Sequence, residues 1–309
     1  MAREDMAEEN ARDRPGDALP VPALVERVRA RARRHETQLP GGGRLVWHGF
    51  GEGPALVLIH GGSGSWLHWI RNIETLATRA HVLLPDLPSL GQSDPLPPPF
   101  DPAVWAGHVL AGLDAIIGVD TPVVVAGFSF GGIYAGEIAR QSGRRARELV
   151  LIGTAGFHAD VSPHRFDLRP WRNLADPAAQ LAAHRHNLAE LMLADPASID
   201  DLALYVQAVS TAGSRFDSRG ASVTGALLAI LREIPAPITL ILGERDPTWR
   251  DRLEGRLADL HARRPDCAVE RLPGVGHWAM FEAREAIDRL LGAALDRAFP
   301  DAAGRVRSA

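Results

Sequence analysis

The 309 residues carry a formal net charge of -4, with 46% hydrophobic and 23% charged residues, the balance of a soluble globular chain. The net negative charge argues against a nucleic-acid partner, which demands a basic face, and the lone cysteine, Cys267, excludes an internal disulfide. No apolar run is long enough to span a bilayer and the polar, acidic start from Met1 to Asn10 is no signal sequence, so a cytoplasmic protein without stable membrane insertion is expected.

The length admits two domains or one α/β domain with an insertion. Residues 1–20 mix charges with Ala, Pro and Gly and read as a disordered leader. A helix is predicted from Val21 to Arg34, with Leu24, Val25 and Val28 on its apolar face and five arginines around the remainder. That apolar face is short, so the arginines read as a solvated surface rather than a membrane anchor. Glu36 to Leu39 and Arg44 to His48 flank the turn Gly41–Gly43 and predict an antiparallel hairpin. Ala55 to Ile59 is continuously apolar, as in a strand covered on both faces, and ends in the loop His60-Gly61-Gly62-Ser63-Gly64.

A helix is expected from Trp66 to Thr78, a strand from His81 to Leu84, and a second helix from Asp101 to Ile117 after a proline run. Val123 to Val125 begins another buried strand, and residues from Ile133 onward read as helix. Between them lies Gly127-Phe128-Ser129-Phe130-Gly131, a G-x-S-x-G elbow in which a tight turn lifts a serine hydroxyl clear of the sheet. A strand from Glu148 to Ile152 follows. Alternating strands and helices imply a mostly parallel sheet covered on both faces. From Gly156 to about Glu233 the pattern is helical only, as in Ala178 to Leu193 and Ile199 to Thr211. The sheet resumes at Ile238 to Leu242 and Ala268 to Leu272, and a helix from Glu282 to Ala298 closes the chain. The expected divisions are an α/β core over 21–155 and 234–298, a helical insertion after the sixth strand over 156–233, and a flexible tail over 299–309.

Two further stretches fall just beyond strand ends: Gly243-Glu244-Arg245-Asp246 and Gly274-Val275-Gly276-His277-Trp278. In an open α/β sheet such positions gather along one edge, and the order Ser129, Asp246, His277 is that of a Ser-Asp-His triad on this kind of sheet. His277 would take the proton of the Ser129 hydroxyl and return it to the leaving group, while Asp246 orients the imidazole. Glu244, Asp251 and Asp266 are competing carboxylates for the acid. The amide of Phe130, with that of Gly62 or Ser63, would form an oxyanion hole; His60 reads as a brace for its loop. Ser63 and Ser65 lie outside a strand-to-helix elbow and are weaker nucleophile candidates. Trp66, Phe128, Trp171, Arg215 and Trp278 are the candidates for touching substrate, with Arg172 as a second cap arginine. No His, Cys and Asp cluster at ligand spacing, since His184 and His186 stand two apart on a helix, so neither metal nor cofactor is expected.

Taken together, these stretches resemble the α/β-hydrolase superfamily over about residues 36–298. The resemblance implies a central mostly parallel sheet, the inserted helical cap and a pocket between them. Arg71-Asn72-Ile73, Pro85-Asp86-Leu87-Pro88 and Gly276-His277-Trp278-Ala279 are similar to the meta-cleavage-product hydrolases, with Ser89 where those enzymes usually have glycine. The expectation is a serine hydrolase that cleaves an ester or a carbonyl-activated carbon–carbon bond through an acyl-enzyme, with a small acyl or diketone substrate. A cofactor-free acyltransferase or perhydrolase on this fold, and a non-catalytic binding protein, are the rivals. The sequence leaves a homodimer open.

Overall fold

The computed structural model describes residues 19–157 and 166–301. Most of the expected leader, residues 158–165 of the expected cap and the tail after 301 lie outside the described residues. The described strands are β1 (Arg33–Gln38), β2 (Arg44–Phe50), β3 (Ala55–Ile59), β4 (His81–Pro85), β5 (Val123–Phe128), β6 (Ala146–Ile152), β7 (Ile238–Gly243) and β8 (Ala268–Leu272), in one sheet of spatial order β1-β2-β4-β3-β5-β6-β7-β8. The β1–β2 and β2–β4 pairs are antiparallel and all others parallel. Ile59 pairs with Gly127, Gly127 with Leu151, and Ile152 with Ile241. The carboxyl ends of the four central strands are therefore level, and the loops that follow them meet at one edge.

Alternation along each strand divides the core between the two faces. Val57, Ile59, Val123, Val125, Leu149, Leu151, Leu240 and Leu242 face one layer; Leu56, Leu58, Val124, Ala126, Val150, Ile152 and Ile241 face the other. Full burial of each such side chain stabilises the fold by about 1.5–3 kcal/mol, which explains why the central strands tolerate no polar face. The helices are α1 (Ala23–Arg29), α2 (Ile73–Leu76), α3 (Pro102–Ile117), α4 (Gly131–Ser142), α5 (Pro177–Asn187), α6 (Asp201–Ala212), α7 (Arg219–Ser222), α8 (Ala226–Ile230), α9 (Leu253–Arg263), α10 (Ala279–Glu282) and α11 (Arg284–Ala298). Helices α3, α4 and α9 cover the first face, and α1, α2 and α11 the second. Asp101 caps α3 by accepting the amide of Val104, with Pro102 in the first turn where its missing N–H costs nothing.

Several boundaries differ from expectation for local reasons. The helix predicted over 21–34 stops at Arg29 because Arg33–Gln38 is recruited as the edge strand β1. Among the described residues, four of its five arginines pair with acids: Arg27 binds Glu74 through two bonds of 2.9 Å, Arg31 reaches the same carboxylate at 3.3 Å, Arg33 reaches Glu52 at 3.0 Å, and Arg34 pairs with Glu36. The helix predicted over 66–78 is split into a single 3-10 turn, Trp66–Trp69, and the short α2. Asp86 accounts for the start of that turn, since its buried carboxylate accepts the amide of Trp66 at 2.8 Å. The closing helix, predicted from Glu282, starts at Arg284 and ends at Ala298 as expected, with the separate short α10 just before it. Helix α9 was absent from the predicted elements.

No strand occurs among the described residues between β6 and β7. Helices α5 to α8 occupy this stretch, and α8 docks on α4 where Gly136 leaves room for Leu227. Asp200 caps α6 through the amide of Ala203 and also binds Arg71 at 2.5 Å, while Arg71 donates to the Phe281 carbonyl at 3.0 Å. Ser65 and Ser210 share a buried hydrogen bond of 2.8 Å. The helical insertion is thus anchored to the core at several points.

Candidate active site

β5 runs into α4 through a turn that only small neighbours permit. A Cβ on Gly127 would lie 2.5 Å from the Gly131 carbonyl oxygen and 2.6 Å from the Ala135 Cβ, and one on Gly131 would strike the His60 carbonyl. Ser129 at the apex has φ of 51°, the left-handed region that L residues seldom adopt. Its amide donates to Ile152 O at 3.0 Å, and its carbonyl accepts from Gly132 and Ala155 at 2.9 and 3.0 Å. These bonds hold the strained residue in place. The strain predicts that Ser129→Gly unfolds at higher urea than Ser129→Ala, by about 1 kcal/mol after allowing for the greater unfolded-state freedom of glycine. Equal midpoints would remove strain from the account of the elbow.

Ser129 Oγ lies 2.9 Å from His277 Nε2, and His277 Nδ1 lies 2.8 Å from Asp246 Oδ2. Asp246 is fully buried, and its other oxygen accepts both the amide and the hydroxyl of Thr248 at 2.7 Å. An ionised carboxylate accepting these bonds fixes the proton of His277 on Nδ1 and leaves Nε2 as acceptor for the serine. The competing acids point elsewhere: Glu244 is exposed and pairs with Arg271 at 3.4 Å, and Asp266 pairs with Arg264 at 2.9 Å. Asp251 is exposed beside Arg250.

The base loop is clamped between the insertion and the core. Trp278 N donates to Met192 O at 2.7 Å, and the two oxygens of Glu282 accept the amides of Gly276 and Asp195, each at 2.6 Å. Gly153, with φ of 49°, passes so close that a Cβ there would lie 3.0 Å from Asp246 Oδ2 and 3.1 Å from His277 Nδ1. A side chain at 153 would push the acid and base apart.

The loop after β3 backs onto the elbow. A Cβ on Gly61 would approach the Ser129 Cβ to 3.2 Å, and one on Gly62 the Phe130 Cβ to 3.5 Å. Among the described residues no acceptor engages the amides of Gly62, Ser63 or Phe130, so these donors are free for a ligand oxygen. His60 braces the loop by accepting the amide of Leu87 at 2.9 Å and donating to Gly61 O at 2.8 Å. Burial lowers its pKa and keeps it neutral, in keeping with those two bonds. Ser65 is capped in the core by Ser210.

A cavity of about 830 Å³ opens over Ser129 and His277 between the sheet edge and the inserted helices. Gly62, Ser63, Phe128, Trp171 and Arg215 all line it. Two of the residues expected to touch substrate do not line it. Trp66 is 2% exposed and stacks on His48 with centroids 4.4 Å apart; Trp278 is fully buried, with its indole N–H spent on His68 O at 2.8 Å. Both rings are buried in the apolar layer beneath their loops, where large aromatic side chains are stabilised. Phe130 does not line the cavity either, and its ring joins the core. The Arg215 guanidinium is held by Ser93 O, and Arg172 donates to Thr211 O and Ser214 O at 2.5 and 3.0 Å. The sequence did not single out Thr248, although Asp246-Pro247-Thr248 has the i, i+2 spacing of a carboxylate-capped turn. Nor did it single out Gly153, Glu282 or His68.

Residues 56–290 match the model of the "Alpha/beta hydrolase family". The chain is 29% identical over 301 residues to polyketide synthase ThaQ of Burkholderia thailandensis, an alignment covering 93% of this chain but only 14% of that much longer protein. It is 25% identical over 274 residues to the 2-hydroxy-6-oxo-6-phenylhexa-2,4-dienoate hydrolase of Burkholderia cepacia, covering 80% of this chain and 89% of the relative. The structure of the meta-cleavage product hydrolase of Pseudomonas fluorescens IP01 shares the fold, with a TM-score of 0.68 at 23% identity over 86% of this chain and 98% of that one. With the sheet order, the elbow and a family match over most of its length, the chain belongs to the alpha/beta hydrolase family.

Proposed function

We propose that the protein is a serine hydrolase that cleaves a small acyl ester through an acyl-enzyme on Ser129. The observation that carries this is the unbroken chain of hydrogen bonds from Ser129 through His277 to Asp246, opening on a cavity. A serine hydroxyl is too weak a nucleophile alone, and a base within 2.9 Å with its tautomer fixed by a buried carboxylate supplies what it lacks. His277 removes the proton as Oγ attacks the carbonyl, and the free amides of Phe130 and Gly62 or Ser63 receive the developing negative charge. His277 then protonates the leaving alcohol, and water repeats the cycle on the acyl-enzyme. The wall favours an apolar acyl chain: Phe128, Phe157, Trp171, Phe216 and Met192 face the cavity.

Carbon–carbon cleavage of a vinylogous diketone acid is the second reading. It is favoured by the similarity to a hydrolase named for a 2-hydroxy-6-oxo-dienoate. The same serine, base and oxyanion donors would serve both reactions, so substrate turnover separates them. Purified protein supplied with p-nitrophenyl esters of increasing chain length, beside one such diketone acid, should release p-nitrophenol faster than it consumes the diketone. The reverse order would make the carbon–carbon reaction the function. Turnover of neither would leave acyl transfer or ligand binding.

A further inference from the structure

His68 is a buried cavity-lining histidine for which the acid–base chemistry above has no use. It sits in the 3-10 turn Trp66–Trp69, and its Nδ1 accepts the amide of Gly61 at 3.3 Å. That bond assigns the proton of the neutral ring to Nε2. The ring is packed on several sides: Phe128 at 5.6 Å and Trp278 at 5.2 Å between centroids, and Gly64 so close that a Cβ there would strike Cε1. Nε2 has no partner among the described residues, yet it is not one of the fully enclosed polar atoms that lack one, as both nitrogens of His184 are. The cavity is where it can find an acceptor.

Burial, reinforced by His60 and His277, pushes the pKa of His68 well below the ordinary histidine value. Neutrality suits the place, because His277 becomes a cation when Ser129 attacks, and a second cation beside it would oppose that step. A neutral N–H donor next to the oxyanion loop can hold a substrate oxygen without that penalty.

We propose that His68 is a specificity-determining residue whose Nε2–H donates to a second oxygen on the acyl half of the substrate, so that the preferred acyl group carries a keto or hydroxyl oxygen beyond the reacting carbonyl. This rests on the assignment of Ser129 as nucleophile. The structural alternative is a packing histidine that only supports Gly61, and the two are separable by side-chain shape. Asparagine places an acceptor near the position of Nδ1 but lacks the distal donor; glutamine places an amide N–H near Nε2 but loses the bond to Gly61.

The test compares kcat/KM for p-nitrophenyl 4-oxopentanoate with that for p-nitrophenyl pentanoate. Wild type should prefer the oxo ester by about five- to ten-fold, the range one net hydrogen bond supports. The ratio should fall to near one in His68→Asn and be largely kept in His68→Gln. A wild-type ratio of one, or an Asn variant that keeps the wild-type ratio, would overturn the proposal. So would equal loss of the ratio in both variants. Fluorophosphonate labelling of each protein separates this failure from a failure of the serine mechanism. Labelled protein without a preference refutes His68 alone, whereas unlabelled wild type refutes the nucleophile on which it rests.

Discussion

Ser129→Ala should lower kcat for ester hydrolysis by about 10⁶-fold while the protein stays folded, because a triad acts as a unit and loses nearly everything when its nucleophile goes. The substitution removes one oxygen at the turn apex and leaves the Ser129 backbone bonds to Ile152, Gly132 and Ala155 available to alanine. His277→Ala should cost about as much, since the hydroxyl then has no acceptor at 2.9 Å to take its proton. Both losses should appear in kcat rather than in KM. The cavity wall that binds the ground state is untouched, and only the transition state needs the proton transfer. Steady-state kinetics with circular dichroism as a check of folding would decide it. A loss under 100-fold in Ser129→Ala would point to another nucleophile.

The second large effect belongs to the acid. Asp246→Asn should lower kcat by about 10⁴-fold, because an amide at this position can donate to Nδ1 and stabilise the wrong tautomer of His277. The carboxylate is fully buried and also accepts two bonds from Thr248, so no water can replace it at low cost. Glu244→Gln is the matched control. That side chain is exposed and pairs with Arg271 at 3.4 Å, while the imidazole Nδ1 is taken by Asp246, so its loss should stay within about two-fold, as surface ion pairs contribute little. Parallel kcat measurements on the two variants would show a larger effect at 244 if the acid had been misassigned.

Much of the architecture was legible because the strands that position the site are buried on both faces. Ala55–Ile59, buried throughout, has the predicted bounds, as does the largely exposed edge strand Ala268–Leu272, and the elbow after Val123–Phe128 announced itself through glycines that a close turn requires. The choice between Asp246 and Glu244 was less legible, since two carboxylates two residues apart at a strand end differ only in which way the loop turns. Aromatic residues were the least legible. Trp66 and Trp278 adjoin site loops in sequence, yet each is drawn beneath its loop, one by His48 and the amide bond to Asp86, the other by His68 O. Helix α9 left a signal, Leu253, Leu257 and Leu260 at helical spacing, diluted by Gly255 and surrounding charges. Ser89, the departure from glycine, has φ of 67°, in the left-handed region that glycine enters at least cost.

The nucleophile itself can be read directly by mass. Treated with a fluorophosphonate, the wild-type protein should gain one phosphonyl group, mapped by peptide sequencing to Ser129, and Ser129→Ala should gain none. Unmodified wild type, or equal modification of the alanine variant, would contradict the serine mechanism.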